Sequence, residues 1–179
     1  LQLIGVGRLV EKKGFASLIQ ACALLKEKGF DNFTCLIVGD GPERDSLVNL
    51  SESLSIEDRI IFKGALNHTE TLKLVAESDL FVLPCVPAQS GDMDGIPVSL
   101  MESMSMRVPV FSTDISGIPE LIGKEYLCKP HSAECLAEKI QNISKLDQRQ
   151  RMEIGRKFQE KIYKEFNLKQ EVQKLIDLM

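Results

Sequence analysis

Residues Leu80–Glu102 read LFVLPCVPAQSGDMDGIPVSLME, and this pattern decides the fold. The apolar run Leu80–Leu83 is typical of a short buried strand, and an acidic, glycine-bearing loop follows it. The segment after Ile96 predicts a helix that begins near Pro97, where proline is tolerated because the first helical amide has no intrahelical acceptor. Such a helix points unpaired amides and the positive end of its dipole at the loop, which suits a phosphate.

The same strand, loop and helix order recurs on both sides of this segment. Continuous apolar runs alternate with segments of helical periodicity, which is typical of a parallel sheet with helices on both faces. We therefore predict an α/β fold: a doubly wound, Rossmann-like parallel sheet of about six strands. The predicted strands lie at Leu1–Val6, Phe33–Val38, Arg59–Gly64, Leu80–Leu83, Val108–Ser112 and Tyr126–Cys128.

The end of the chain has a different pattern. Two helical stretches, Gln148–Phe166 and Leu168–Leu178, follow each other without a strand, so residues 148–179 are predicted to form a helical tail. The 179 residues are enough for one domain with its own core, and we expect a single domain over 1–179. Because a strand-like run begins directly at Leu1, we also expect another domain to precede it.

Composition excludes several classes of protein. The net charge is −4 and no basic block occurs, which argues against nucleic acid as a partner. No apolar run approaches the roughly 18 to 20 residues that span a bilayer. The five cysteines form no C-x-x-C pair, so we expect most of them to be buried thiols in a reducing compartment, without a disulfide framework or a zinc site.

Two cations follow the first predicted strand on a loop framed by glycines. Arg8 and Lys13 are five residues apart, and together they could neutralise a diphosphate without a metal ion. The alternative is a pair of solvated surface charges, and the two residues alone leave it open. Gly5-Val6-Gly7 does not complete the dinucleotide fingerprint, because Val10 stands in place of the third glycine; this disfavours a nicotinamide-dependent dehydrogenase.

The acidic loop and the histidines offer two other chemistries. Asp92-Met93-Asp94 could hold a divalent cation against a diphosphate, but Arg8 and Lys13 would make that cation redundant, so we expect no metal. His68 and His131 are the only histidines, and neither has a nucleophile or carboxylate at a useful spacing. A nucleophilic triad is therefore not predicted.

The ordered set of loops resembles the C-terminal domain of family 4 retaining glycosyltransferases with the GT-B fold. The resemblance covers about Leu3–Glu120, and the helical tail is compatible with it. Its motifs, in order, are Gly7-Arg8-Leu9, Lys13-Gly14, Val38-Gly39-Asp40-Gly41-Pro42, Phe62-Lys63-Gly64, Asp94-Gly95-Ile96-Pro97 to Glu102, Pro109-Val110 and Gly117-Ile118-Pro119-Glu120.

This resemblance implies a site for the sugar donor. It assigns the diphosphate to Arg8 and Lys13, hydroxyls of the donor sugar to Asp94, and the ribose to Glu102. It assigns the distal phosphate and the sugar to the backbone at Gly95, Ile96, Pro97 and Val98. The loop after Gly64 would flank the base, and Gly7, Gly39 and Gly41 belong to the substrate-binding loops.

The resemblance further implies a function for the whole enzyme. The donor would be a UDP- or GDP-linked sugar, transferred as a hexose to a glycan or a lipid-linked acceptor in surface polysaccharide biosynthesis, without a cofactor or a metal. An N-terminal acceptor-binding domain would complete the enzyme, so the chain alone is expected to be inactive. We expect a cytoplasmic location, compatible with peripheral association of the full enzyme at the inner face of the membrane.

Two departures from the family pattern motivate a second hypothesis. The family usually has glutamate at the position of Asp94, and it usually has glycine where this chain has Arg107. If Arg107 needs a left-handed backbone, the cost is about 1 kcal/mol. The alternative function is therefore a degenerate, non-catalytic module used for protein association.

Overall fold

The computed structural model describes residues 1–166 of the chain. Its six strands form one parallel sheet in the order β3-β2-β1-β4-β5-β6. The predicted doubly wound sheet is confirmed, and each strand lies within two residues of its predicted position. The strands are β1 (Gln2–Val6), β2 (Thr34–Val38), β3 (Ile60–Gly64), β4 (Leu80–Val82), β5 (Val110–Thr113) and β6 (Leu127–Cys128).

Helices cover both faces of this sheet. Asn67 and Ser132 are N-cap residues, since each side chain accepts a hydrogen bond from the first turn of its helix. The second predicted helix of the tail, Leu168–Leu178, lies outside the described residues. The helices are α1 (Phe15–Glu27), α2 (Arg44–Ser53), α3 (His68–Ala76), α4 (Val98–Ser105), α5 (Ile118–Leu121), α6 (Ala133–Ser144) and α7 (Gln148–Glu165), with short 3₁₀ turns at Glu11–Lys13 and Lys124–Tyr126.

The core lies on both sides of the central strands. All three residues of β4 are fully buried, as are Leu3 and Ile4 of β1. Burial on both faces explains why these strands read as continuous apolar runs rather than as an alternation. Gly5 lets α1 approach β1 closely, because a Cβ there would lie 2.9 Å from a ring carbon of Phe15.

The residue that follows the C-terminal end of α4 has the left-handed backbone that the sequence analysis considered for Arg107. Arg107 has a φ of 62°. Its amide donates to the carbonyl of Met104 at 3.0 Å and the amide of Val108 donates to that of Ser103 at 3.1 Å, which is a Schellman cap. Glycine is the usual residue here, so Arg107 carries a strain of about 1 kcal/mol.

Helix α7 packs directly on this cap. Gly155 faces the Arg107 backbone so closely that a Cβ would lie 1.8 Å from the Arg107 carbonyl oxygen. The Gln159 side chain accepts from Arg107 Nε at 2.8 Å and donates to the Ser105 carbonyl at 2.6 Å. The described part of the tail therefore fixes the end of α4.

The cysteines divide into two groups. Cys22, Cys35 and Cys85 are free and buried, as expected. The expectation is wrong for Cys128 and Cys135, which form a disulfide with their Cα atoms 5.8 Å apart. The turn between β6 and α6 folds back on itself and brings the two together, which their seven-residue spacing alone did not reveal.

Within residues 1–166, the helices are too short or too polar to cross a membrane.

Candidate functional site

The candidate site lies where the order of the strands reverses. From β1 the chain builds outward through β2 and β3 on one side, and β4 begins the other side. The loops that follow β1 and β4 therefore meet at the carboxyl edge of the sheet, which is where parallel α/β sheets bind ligands. The former carries Arg8 and Lys13, and the latter carries Asp94.

The loop after β1 is held tightly against the loop after β4. Gly14 has a φ of 67°, and a Cβ there would lie 2.0 Å from the Pro84 carbonyl oxygen, so only glycine fits. The amide of Val86 donates to the Lys12 carbonyl at 3.0 Å. The Glu11 carboxylate accepts the amide of Gln89 at 3.1 Å. These contacts place the Glu11–Lys13 turn beside the acidic loop.

Asp94 is the centre of the polar contacts between the two loops. Its Oδ2 lies 2.7 Å from Lys13 Nζ and 3.7 Å from the Cys85 sulfur, and its Oδ1 lies 3.6 Å from Lys12 Nζ. Burial raises the pKa of the Cys85 thiol to about 12, so this thiol is neutral and donates its S–H to the carboxylate. Lys12 also contacts Asp92 Oδ2 at 2.9 Å.

An open cleft of about 480 Å³ lies in front of these residues. It brings together Arg8, Lys13 and Asp94, the three residues to which the family resemblance assigns the diphosphate and the donor sugar. Arg8 is exposed at its wall, whereas the side chains of Lys13 and Asp94 retain only 16% and 14% of their exposure. The polar part of the lining also includes Glu11, Lys12, Ser90 and Asp92.

The N-terminal end of α4 is anchored and lacks a side-chain cap. Pro97 is the N-cap residue, so α4 begins at Val98, one position after the start that the sequence predicted, and no side-chain hydrogen bond caps this end of α4. The Ser99 hydroxyl donates to the Val6 carbonyl at 3.2 Å, which ties the first turn to the end of β1. Ile96 packs against Gly117, where a Cβ would lie 2.8 Å from Ile96 Cγ1. Val98 is 61% exposed.

The fold does not require glycine at position 95. A Cβ on Gly95 would have no atom of the described chain within 4 Å, and its φ is not in the left-handed region. Space of this kind beside a helix N-terminus suits the close approach of a ligand to the backbone.

Other predicted glycines have packing roles in the chain itself. A Cβ at Gly39, whose φ is 140°, would lie 1.9 Å from the Gly7 carbonyl oxygen, and one at Gly41 would lie 2.4 Å from that of Leu9. These two glycines let the loop after β2 pack on the loop after β1. Gly64 ends β3 with a φ of 70° and faces open space. Ligand contacts for all four glycines stay predictions.

Glu102 lies on α4, away from the lining of the cleft, and has an unexpected partner. Its Oε1 is 2.9 Å from Nε2 of His68, the first residue of α3. The sequence analysis missed His68 as a neighbour of Glu102 because the two are 34 residues apart. Only the packing of α3 beside α4 brings them together.

Residues 1–166 contain no group of three His, Cys, Asp or Glu side chains able to hold a metal ion. Asp92 and Asp94, the pair that could have bound one, are each in contact with a lysine. Metal independence stays a prediction.

Residues 1–162 match the family described as Glycosyl transferases group 1. The chain belongs to this family. The match confirms the resemblance drawn from the ordered loops, and it covers nearly all of the residues that the structure describes.

Two curated relatives are glycosyltransferases from bacteria. The chain is 38% identical over 170 residues to the colanic acid biosynthesis glycosyltransferase WcaL of Escherichia coli (strain K12), covering 93% of this chain and 42% of WcaL. It is 37% identical over 147 residues to the amylovoran biosynthesis glycosyltransferase AmsK of Erwinia amylovora, covering 80% of this chain and 36% of AmsK. The chain thus spans less than half the length of these relatives.

Solved glycosyltransferases share the fold. The catalytic domain of cholesterol-α-glucosyltransferase from Helicobacter pylori superposes with a TM-score of 0.75 at 21% identity, covering 89% of this chain and 95% of that one. Staphylococcus aureus TarM superposes with a TM-score of 0.84 at 24% identity, covering 99% of this chain and 35% of TarM. The GT-B type of architecture is therefore confirmed for this chain.

Proposed function

We propose that this chain is the donor-binding half of a retaining glycosyltransferase that transfers a hexose from a UDP- or GDP-linked sugar. The acceptor would be a glycan or a lipid-linked sugar in surface polysaccharide biosynthesis. One observation carries the proposal: Arg8, Lys13 and Asp94 line a single cleft at the strand-order reversal, next to the N-terminus of α4.

The charges of the cleft suit a sugar diphosphate. Lys13 now contacts Asp94, and an entering diphosphate would share this cation while the exposed Arg8 closes on a second phosphate oxygen. The amides around Gly95–Val98 would face the distal phosphate, as a helix N-terminus does for anions. Asp94 would then meet hydroxyls of the sugar, and Glu102 the ribose.

These groups would act mainly on the leaving group. The bond between the anomeric carbon and the distal phosphate oxygen breaks, and the nucleotide diphosphate leaves with the electron pair. The acceptor hydroxyl forms the new bond on the same face of the sugar and gives its proton to the leaving phosphate oxygen. Fixed cations and amides stabilise the charge that develops on that oxygen, which is the largest electrostatic contribution available here.

The known relatives support the biosynthetic role. WcaL and AmsK are named for the biosynthesis of colanic acid and amylovoran, two polysaccharides, and the solved TarM structure contains UDP. We propose that the acceptor-binding domain is supplied by the part of the full protein outside this chain. The cytoplasmic location and peripheral membrane association remain parts of the same proposal.

Calorimetry and thermal unfolding with UDP, GDP and ADP test the donor site, each with and without EDTA. A ligand that binds only the folded chain raises its melting temperature. We expect one nucleotide to bind and EDTA to leave its affinity unchanged. Absence of binding by all three at millimolar concentration would refute the proposal, and loss of binding in EDTA would refute its metal independence.

The second candidate, a degenerate module, is not favoured by the surroundings of Arg107. The left-handed residue is built into a complete Schellman cap at the end of α4 away from the cleft. Substitution of Arg107 by glycine in the full-length enzyme separates the two candidates. Little change in transfer supports the donor site as it stands, and a large gain identifies a decayed one.

A further inference from the structure

We infer that Lys12 is a positioning residue that holds Asp94 for recognition of the donor sugar. This inference rests on the proposed function, because it needs a nucleotide sugar in the cleft. It concerns a residue next to Lys13, and it separates the tasks of the two neighbouring lysines.

The two lysines contact different oxygens of the same carboxylate. Lys13 Nζ lies 2.7 Å from Asp94 Oδ2, and Lys12 Nζ lies 3.6 Å from Oδ1. Lys12 Nζ also lies 2.9 Å from Asp92 Oδ2, so it bridges two acids of the same loop. Asp94 is therefore held at both carboxylate oxygens, and Lys12 also connects it to Asp92.

The position of Lys12 is fixed by its own backbone. Its carbonyl accepts the Val86 amide, and the carboxylate of the preceding Glu11 accepts the Gln89 amide. Its side chain retains 27% exposure. The hydrogen bond with Asp92 raises the pKa of Lys12 above its usual value, so this lysine is fully charged at neutral pH.

Donor binding changes the balance around Asp94. Once a diphosphate shares the charge of Lys13, Asp94 stands close to a polyanion and needs a second cation to offset the repulsion and keep its carboxylate in the same place. Lys12 supplies that cation from the side of the acidic loop. Its removal leaves Asp94 held by the shared Lys13 and by the weak S–H donor of Cys85, so the carboxylate can turn away from the sugar while phosphate contacts with Arg8 and Lys13 persist.

The ratio of two affinities tests this division. Calorimetry on the 179-residue chain first gives the affinity for a nucleotide diphosphate. It then gives the affinity for the nucleotide sugar with the same base that binds the wild type, chosen from UDP-glucose, UDP-galactose, GDP-mannose and GDP-fucose. Dividing one by the other cancels any loss of charge attraction that both ligands share. We expect Lys12→Ala and Lys12→Gln to lower the ratio of sugar-nucleotide to diphosphate affinity about fivefold.

Three further variants give the test its specificity. Lys12→Arg restores the cation and should bring the ratio within about twofold of the wild type. In an Asp94→Asn background, Lys12→Ala should have no further effect, because Lys12 acts through that carboxylate. Lys28→Ala makes the same change of net charge at the exposed end of α1 and should leave both affinities unchanged.

The outcomes separate this inference from the proposed function. If no nucleotide diphosphate binds the wild type, the proposed function fails. The inference is wrong, and the proposed function stands, if diphosphate binds and Lys12→Ala leaves the ratio of affinities unchanged. The same conclusion follows if Lys12→Ala lowers the ratio by the same factor in the Asp94→Asn background as in the wild type. The inference is also wrong if the wild type binds diphosphates and none of the four nucleotide sugars.

Discussion

Replacement of Gly155 by alanine tests how firmly α7 holds the end of α4. An alanine Cβ would lie 1.8 Å from the Arg107 carbonyl oxygen. Because carbon and carbonyl oxygen normally approach to about 3.3 Å, α7 would have to move back by roughly 1.5 Å. The contact is with backbone atoms, so a change of rotamer cannot relieve it.

Two effects of opposite sign decide the free energy of unfolding. Alanine is favoured over glycine inside a helix by about 1 kcal/mol. Retreat of α7 would weaken both hydrogen bonds of Gln159, worth about 1 kcal/mol each, and the overpacking costs about 1 to 3 kcal/mol more. The balance is a destabilisation of about 2 to 4 kcal/mol, which lowers the melting temperature by about 4 to 16 °C in a domain of this size.

Urea and thermal unfolding followed by circular dichroism measure this change. Lys164→Ala on the exposed face of α7 is the matched control and should shift the melting temperature by less than about 2 °C. An unchanged or raised melting temperature for Gly155→Ala would show that helix propensity outweighs the contact. The description of α7 as the anchor of α4 would then be wrong.

Three other predictions concern the cleft and the cysteines. Arg8→Ala and Lys13→Ala should each weaken nucleotide diphosphate binding about tenfold in calorimetry, since each removes a charge-assisted contact; unchanged affinity in both would exclude the pair from the site. Burial raises the pKa of the Cys85 thiol to about 12 in the folded chain, whereas its unfolded pKa is about 8.5. The stability that this neutral thiol contributes is therefore fully present below about pH 8.5 and is lost as the pH rises toward 12. Urea unfolding should therefore show the wild type losing about 2 kcal/mol more than Cys85→Ala between pH 8 and pH 10.5, and parallel pH profiles would contradict this. Reduction of the disulfide between Cys128 and Cys135 should lower the free energy of unfolding by about 2 kcal/mol, the loop entropy of a short closed segment, and Cys135→Ser should abolish the response to reductant.

The strands were predictable because parallel strands buried on both faces must be apolar throughout. The largest error is at the start of β5, where Val108 and Pro109 precede the strand. Val108 takes part in the Schellman cap of α4, and Pro109 has no amide to donate to a ladder. Local hydrogen bonds thus override the apolar pattern at this boundary.

The convergence of three predicted residues on one cleft could be predicted from the sequence, and the contacts within the cleft could not. Arg8, Lys13 and Asp94 follow strand ends, so the topology alone brings them together at one edge of the sheet. The contacts of Lys12 with Asp92 and Asp94 depend on how the acidic loop folds over the Glu11–Lys13 turn. The periodicity of apolar residues does not predict how a loop folds over a neighbouring turn. It also does not predict the distant partner of Glu102.

Helix α4 packs between two loops and α7, and this packing limits how domains of this kind could be exchanged between enzymes. Each residue assigned to the donor lies before position 103, which suggests a short segment for transplantation into another glycosyltransferase. Yet the far end of α4 rests on Gly155 and Gln159. A chimera that contains the donor loops without α7 would have the required side chains, but contacts from the recipient enzyme would set the orientation of α4. The transplanted segment should therefore extend at least to residue 165.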